Sequence, residues 1–136
     1  MAAATDYLEA EVLDHVLGKG TRDFTSPANL YIGLFTTATG DDGTGTEVGA
    51  GVNYARQSVA FDAAATVAGV TTASNSADVE FGPATVSNWG TISHLAIFDA
   101  VSGGNMLFQG ALSVAKTITV DDSLRIGTGN LTIELQ

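Results

Sequence analysis

The chain's 136 residues suffice for one domain around one core and not for two. Fifteen Asp and Glu oppose five Lys and Arg, and the formal net charge of −10 repels phosphate; Lys19, Arg22, Arg56, Lys116 and Arg125 are scattered, not gathered into the basic stripe of a nucleic-acid binder. With no cysteine there is neither a disulfide framework nor a zinc–thiolate site, and no segment reaches the roughly 20 consecutive apolar residues of a membrane span.

The first element is a helix expected over 5–18. Its acids precede any basic residue and no apolar core of signal length follows, which argues against a targeting peptide. Asp6 and Glu9 have the spacing of a capping box, and Gly18 or Gly20 ends the run. Leu8, Val12 and Val16, flanked by Leu13 and Leu17, form one apolar stripe. That stripe docks on the end of its own domain in the structural reading and on a neighbouring subunit in the functional one.

After Pro27 the pattern alternates, with Leu30, Ile32 and Leu34 on one face of a strand and Tyr31 and Phe35 on the other. Residues 36–53 carry five glycines and no large hydrophobic side chain except two valines, so a long surface loop with no part in the core is expected. Short strands follow over 56–61, 66–72 and 77–81, with a polar turn at 73–76. Residues 88–112, NWGTISHLAIFDAVSGGNMLFQGAL, spell out a β-hairpin: a β-branched and aromatic run, turn chemistry from Asp99 to Asn105, and a second apolar run. Further strands are expected over 116–120, 124–126 and 131–135, with Asp121-Asp122 as a turn. About eight strands after one helix, with no helices between them, imply a mainly β fold: a single antiparallel β-sandwich over 1–136, jelly-roll or immunoglobulin-like. Trp89, Ile92 and Phe98 are its expected structural anchors.

The apparent chemical motifs fail on inspection. Gly18-Lys19-Gly20-Thr21 lacks the upstream glycine and the preceding strand of a phosphate loop. Asp41-Asp42-Gly43 with Glu47 offers oxygen ligands without the alternating carboxylates of an EF-hand, and Asn130-Leu131-Thr132 is a sequon inside a strand. No GxSxG elbow surrounds a serine, and His15 and His94 lie on different elements, His94 being expected as a hydrogen-bonded, partly buried strand residue. Neither catalytic residues, metal ligands nor a cofactor are expected. Trp89 alone is ambiguous, as an anchor or as a stacking platform for a sugar ring.

The N-terminal helix ending in glycine, Leu30-Tyr31-Ile32-Gly33-Leu34-Phe35-Thr36, Asn53-Tyr54-Ala55-Arg56-Gln57, Asn88-Trp89-Gly90-Thr91-Ile92, Phe98-Asp99-Ala100 and Gly103-Gly104-Asn105, in that order, resemble a family of short virion proteins of tailed bacteriophages, often labelled tail fibre proteins. The similarity runs through nearly the whole chain. It implies a non-enzymatic structural role on the exterior of the virion, in a protein made in the bacterial cytoplasm. The acidic charge and compact length lead to a capsid cement or decoration protein sealing joints between major-capsid subunits. A tail fibre or other adsorption component is the first alternative and a carbohydrate-binding module the second. The expected partners are other virion proteins and further copies of the chain, as a dimer or trimer, with neither nucleic acid nor membrane. Candidate partner contacts are Leu8, Val12 and Val16 on the helix, Asp41, Asp42 and Glu47 in the loop, and Ser102, Gly103 and Gly104 in the hairpin turn.

Overall fold

A computed structural model describes residues 2–20 and 24–135. In chain order the elements are β1 (Ala3–Ala4), α1 (Asp6–Leu17), β2 (Leu30–Phe35), β3 (Gln57–Val59), β4 (Ala65–Val67), β5 (Val70–Ser74), β6 (Val79–Phe81), β7 (Gly90–Phe98), β8 (Met106–Ile118), β9 (Leu124–Ile126) and β10 (Thr132–Leu135). All the strand pairings are antiparallel. One sheet has the order β1-β8-β7-β2-β3, a second β10-β5-β4, and β6 pairs with β9. The fold is therefore mainly β with one helix near the N-terminus, in a sandwich-like arrangement.

The main core lies between the large sheet and the two smaller ones. Ile32 and Leu34 from β2, Leu95 and Ile97 from β7 and Ile118 from β8 meet Val79 and Phe81 of β6, Leu124 and Ile126 of β9 and Ile133 of β10. The alternation expected in β2 is present, because Phe35 points to the opposite face and joins Ala96, Phe98 and Met106 in a second, smaller cluster. Ile32–Phe35 of β2 and Leu95–Phe98 of β7 are covered on both faces, whereas β8 beyond Leu107 is mostly half-buried or exposed.

The hairpin of 88–112 forms as the sequence implied, but β8 continues past Leu112 to Ile118 and absorbs the strand expected separately at 116–120. What joins them is a bulge. Ile92 pairs with Lys116 whereas His94 pairs with Ala111, so residues 112–115 stand opposite Ser93 alone. The extra residues shift the phase of the strand: Ile92 lies in the main core with Leu95 and Ile97, although simple alternation would place it with Ala96 and Phe98.

Three other expectations change. Residues 66–72 are a tight hairpin and not one strand, with Ala68 and Gly69 both at positive φ (51° and 83°), the conformation of a two-residue primed turn. The turn expected at 73–76 begins later, since Ala73 and Ser74 pair with β10. Helix α1 keeps its expected limits, but Thr5 and not Asp6 is the N-cap, its hydroxyl accepting from the Leu8 N–H at 3.5 Å, while Gly18 caps the C-terminus at φ 69°.

Candidate functional site

The helix, the 36–53 segment and the hairpin turn, far apart in sequence, meet at the Met106 end of β8. Thr5 is buried beside that strand, its hydroxyl 2.6 Å from the Met106 carbonyl and its backbone N–H donating to the Leu107 carbonyl at 2.9 Å. The next N–H, of Asp6, donates to the Asp41 carbonyl at 3.0 Å. Gln109 of β8 holds the same loop from the other side: its amide N–H donates to Asp41 Oδ1 at 2.6 Å, and its Oε1 accepts from the Thr39 hydroxyl at 2.7 Å. The turn closes through Asp99, whose carboxylate accepts from the Asn105 N–H (2.7 Å) and side-chain amide (2.9 Å). Gly104 sits under that carboxylate at φ 71°, where a Cβ would fall 2.3 Å from Asp99 Oδ1, so only glycine fits. A cleft of about 280 Å³ between Tyr7, Asp42, Gly43, Phe98 and Asn105 marks the meeting point.

Arg56 fastens this end to the large sheet. Its guanidinium forks onto Glu47, Nε to Oε1 at 2.9 Å and NH2 to Oε2 at 2.8 Å, while NH1 donates to the carbonyls of Ala100 (3.0 Å) and Gly103 (2.8 Å). The planar cation also lies 3.4 Å from the centroid of the Phe98 ring, which stacks on Phe35. Glu47 Oε1 accepts in addition from Tyr54, whose hydroxyl oxygen accepts from the Leu34 N–H at 2.9 Å. Burial pushes the Tyr54 phenol well above its ordinary pKa, so it remains a neutral donor.

These contacts revise the expectation for 36–53. The segment folds back along the end of β2, with Thr36 N–H donating to Thr46 O and Val48 N–H to Leu34 O, both at 3.0 Å. Val48 is buried in the main core, contrary to the reading that nothing in this stretch packs there, and Gly45 lies against the Phe35 ring. Low apolar content hid this role because the segment covers the sheet mainly with backbone and with the Glu47 carboxylate.

Of the residues singled out from sequence, Leu8 is buried and Glu47 is held inside the Arg56 fork, so both are structural and neither offers a free contact. Val12 and Val16 are exposed, so that only the Leu8 end of their stripe packs against its own domain. Asp41 and Asp42 reach the common end, with Ser102, Gly103 and Gly104 exposed beside them. The three loop acids do not converge on a cation: Asp41 accepts from Gln109, Asp42 caps Thr44 through its N–H and hydroxyl, and Glu47 holds Arg56. The Thr44 bonds hold the Asp42 carboxyl below its ordinary pKa. No group of three or more His, Cys, Asp or Glu among the described residues is placed to hold a metal, and no helix among them is long and apolar enough to cross a membrane.

Trp89, Ile92 and Phe98 are buried. Trp89 is 5% exposed, its indole N–H donates to the Val52 carbonyl at 2.9 Å and Tyr54 packs edge-on against it, which leaves no free face for a sugar ring. His94 is half-buried with Nδ1 2.9 Å from the Ser93 hydroxyl, and Gly18 is a helix cap; Thr21 of the apparent phosphate motif and Arg22 lie outside the described residues. Sequence reasoning missed Arg56, Tyr54, Gln109 and Asn75. The one available signal was that the chain has few cations and many carboxylates, for which a guanidinium is a ready two-point partner.

Residues 3–134 match the model of a family described as podophage GP4 fiber I protein gp80. No curated protein matches the chain significantly.

Proposed function

Because the chain belongs to the family of the podophage GP4 fiber I protein gp80, a family of short-tailed-phage virion structural proteins, we propose that it is a non-enzymatic fibre component on the exterior of the virion tail. The observation that carries this reading is the family match over residues 3–134. The architecture supports it: helix, loop and turn are bound into one end surface by Arg56 and Gln109, a rigid face suited to docking on another virion protein. The contact-bearing part of that face is Asp41, Asp42 and the Ser102–Gly104 turn. The net charge of −10 suits a solvent-facing position away from packaged DNA.

The capsid-cement role drawn from the sequence uses the same compact size and acidic surface, and the fibre description of the family weighs against it. Quantitative mass spectrometry of purified virions distinguishes the two. A fibre component is expected at a copy number set by tail symmetry, far below that of the major capsid protein, and antibody labelling should decorate the tail. A copy number comparable to the major capsid protein, with label over the head, would overturn the fibre reading in favour of cement.

A further inference from the structure

Helix α1 is docked through only one end of its apolar stripe. Leu8 is its buried side chain, whereas Val12, Leu13, Val16 and Leu17, at the i, i+1, i+4, i+5 spacing of one helical face, are 43 to 73% exposed. The helix contains Asp6, Glu9, Glu11 and Asp14 and no Lys or Arg. It therefore presents an apolar arc in an anionic frame.

The far half of β8 shows the converse. Strand β1 fills the seam between the large sheet and β10 only briefly, pairing with Phe108 and Gln109 on one side while Ala2 bridges Ile133 on the other. Beyond it the seam opens into a groove of about 730 Å³ of mixed lining, with half-buried Leu112 and exposed Val114 beside Ser113, Ser123 and Asn130. Two of the chain's five cations, Lys116 and Arg125, line it and no acid does. Arg125 is paired with Asp78; Lys116 has no ion pair among the described residues.

We propose that the exposed apolar arc of α1 from one copy seats in the groove beside Lys116 and Arg125 of a second copy. The exposed arc meets the apolar part of the groove at Leu112 and Val114, and Lys116, free of an ion pair among the described residues, is opposite in sign to the helix acids. Within one chain the arc stays outside the groove: Val12, Leu13, Val16 and Leu17 are exposed and none of them lines it. The contact is heterologous, so repetition gives a ring if the rotation closes and a filament if it does not. This inference does not depend on the tail location proposed above.

The test is sedimentation velocity of the full chain over a wide concentration range, with a helix variant (Leu13→Gln/Val16→Gln) and a groove variant (Val114→Asp/Lys116→Glu), all at exposed positions so that far-UV circular dichroism should stay unchanged. The wild type is expected to self-associate, each variant to lose affinity by roughly tenfold or more, and an equimolar mixture of the two variants to form a two-chain species, because each supplies the half the other lacks. Added salt should weaken the wild-type complex. A wild type that stays monomeric throughout, or a groove variant that associates like the wild type, overturns the proposal. So does loss of association in both variants without recovery on mixing.

Discussion

Arg56 and Glu47 form a two-point fork, with Nε and NH2 of the arginine bonded to separate carboxylate oxygens at 2.9 and 2.8 Å, and the arginine side chain is 9% exposed against 25% for the glutamate. The pair joins β3's approach, the 36–53 segment and the 99–104 turn in one knot. Removing one member leaves the other partly buried and unpaired, which costs more than the pair itself contributes.

Arg56→Lys should therefore behave as a disruptive change. A lysine cannot fork onto both oxygens, reach two carbonyls and lie flat on Phe98 at once. The expected loss is about 2–3 kcal/mol, discounted from the fully buried case for Glu47's exposure, read as a lower urea midpoint with an unchanged slope. A loss within experimental error would show the fork to be incidental.

Gly33 permits that fork to sit against the sheet. A Cβ there would lie 2.9 Å from Glu47 Oε1 and 3.0 Å from the Phe98 ring, both held in place by Arg56. Gly33→Ala should cost about 1–3 kcal/mol through overpacking. In combination with Glu47→Ala the penalty should shrink, because the obstructing carboxylate is gone, and a double-mutant cycle measures that coupling.

Asn75 is fully buried with its amide N–H groups donating to Ala77 O (2.9 Å) and Gly127 O (3.0 Å) and its Oδ1 accepting from Leu131 N–H (2.9 Å). Asn75→Leu keeps the approximate volume but strands three backbone partners. A destabilisation of about 3 kcal/mol or more is expected from those unsatisfied groups, visible as a lower thermal midpoint. Retained stability would mean that water or rearranged backbone satisfies them.

Asp78 governs an acid-sensitive step. The Arg125 side chain, then the Thr128 N–H and hydroxyl, favour its carboxylate and lower its pKa from 3.8 to about 2. A folded-state pKa below the unfolded value means that the stabilisation is present above about pH 4 and is lost as pH falls toward 2. Urea midpoints measured from pH 5 to pH 2 should fall less steeply for Asp78→Asn than for the wild type. Parallel slopes would remove Asp78 from the acid response, leaving Asp42 and Asp122, whose carboxyls Thr44 and Thr119 also hold low.

Much of the fold was legible because it rests on local periodicity. The alternation in Leu30–Phe35, the turn from Asp99 to Asn105, the Asp121-Asp122 turn and the limits of the helix all reflect preferences that a residue expresses with near neighbours. The β8 bulge was not legible, since nothing in Leu112-Ser113-Val114-Ala115 distinguishes residues that loop out from residues that pair. Asn75 looked like an ordinary turn residue because two of its three partners, the Gly127 carbonyl and the Leu131 N–H, lie in a distant segment that only the folded chain brings to its amide.

The candidate surface divides in the same way. Sequence by itself determined that a glycine turn, a glycine-rich segment and an amphipathic helix exist, and that the chain is acidic and mainly β, because composition and spacing act within a few residues. Tertiary structure alone decided that these three elements share one end, that Glu47 and Leu8 are consumed in building it, and that Val12 and Val16 are left facing water. The physical reason is that an apolar stripe states only that a helix needs a partner. Which surface provides it depends on contacts between residues far apart in the chain, and in this domain Thr5 pins only the start of the helix and leaves Val12 and Val16 facing water.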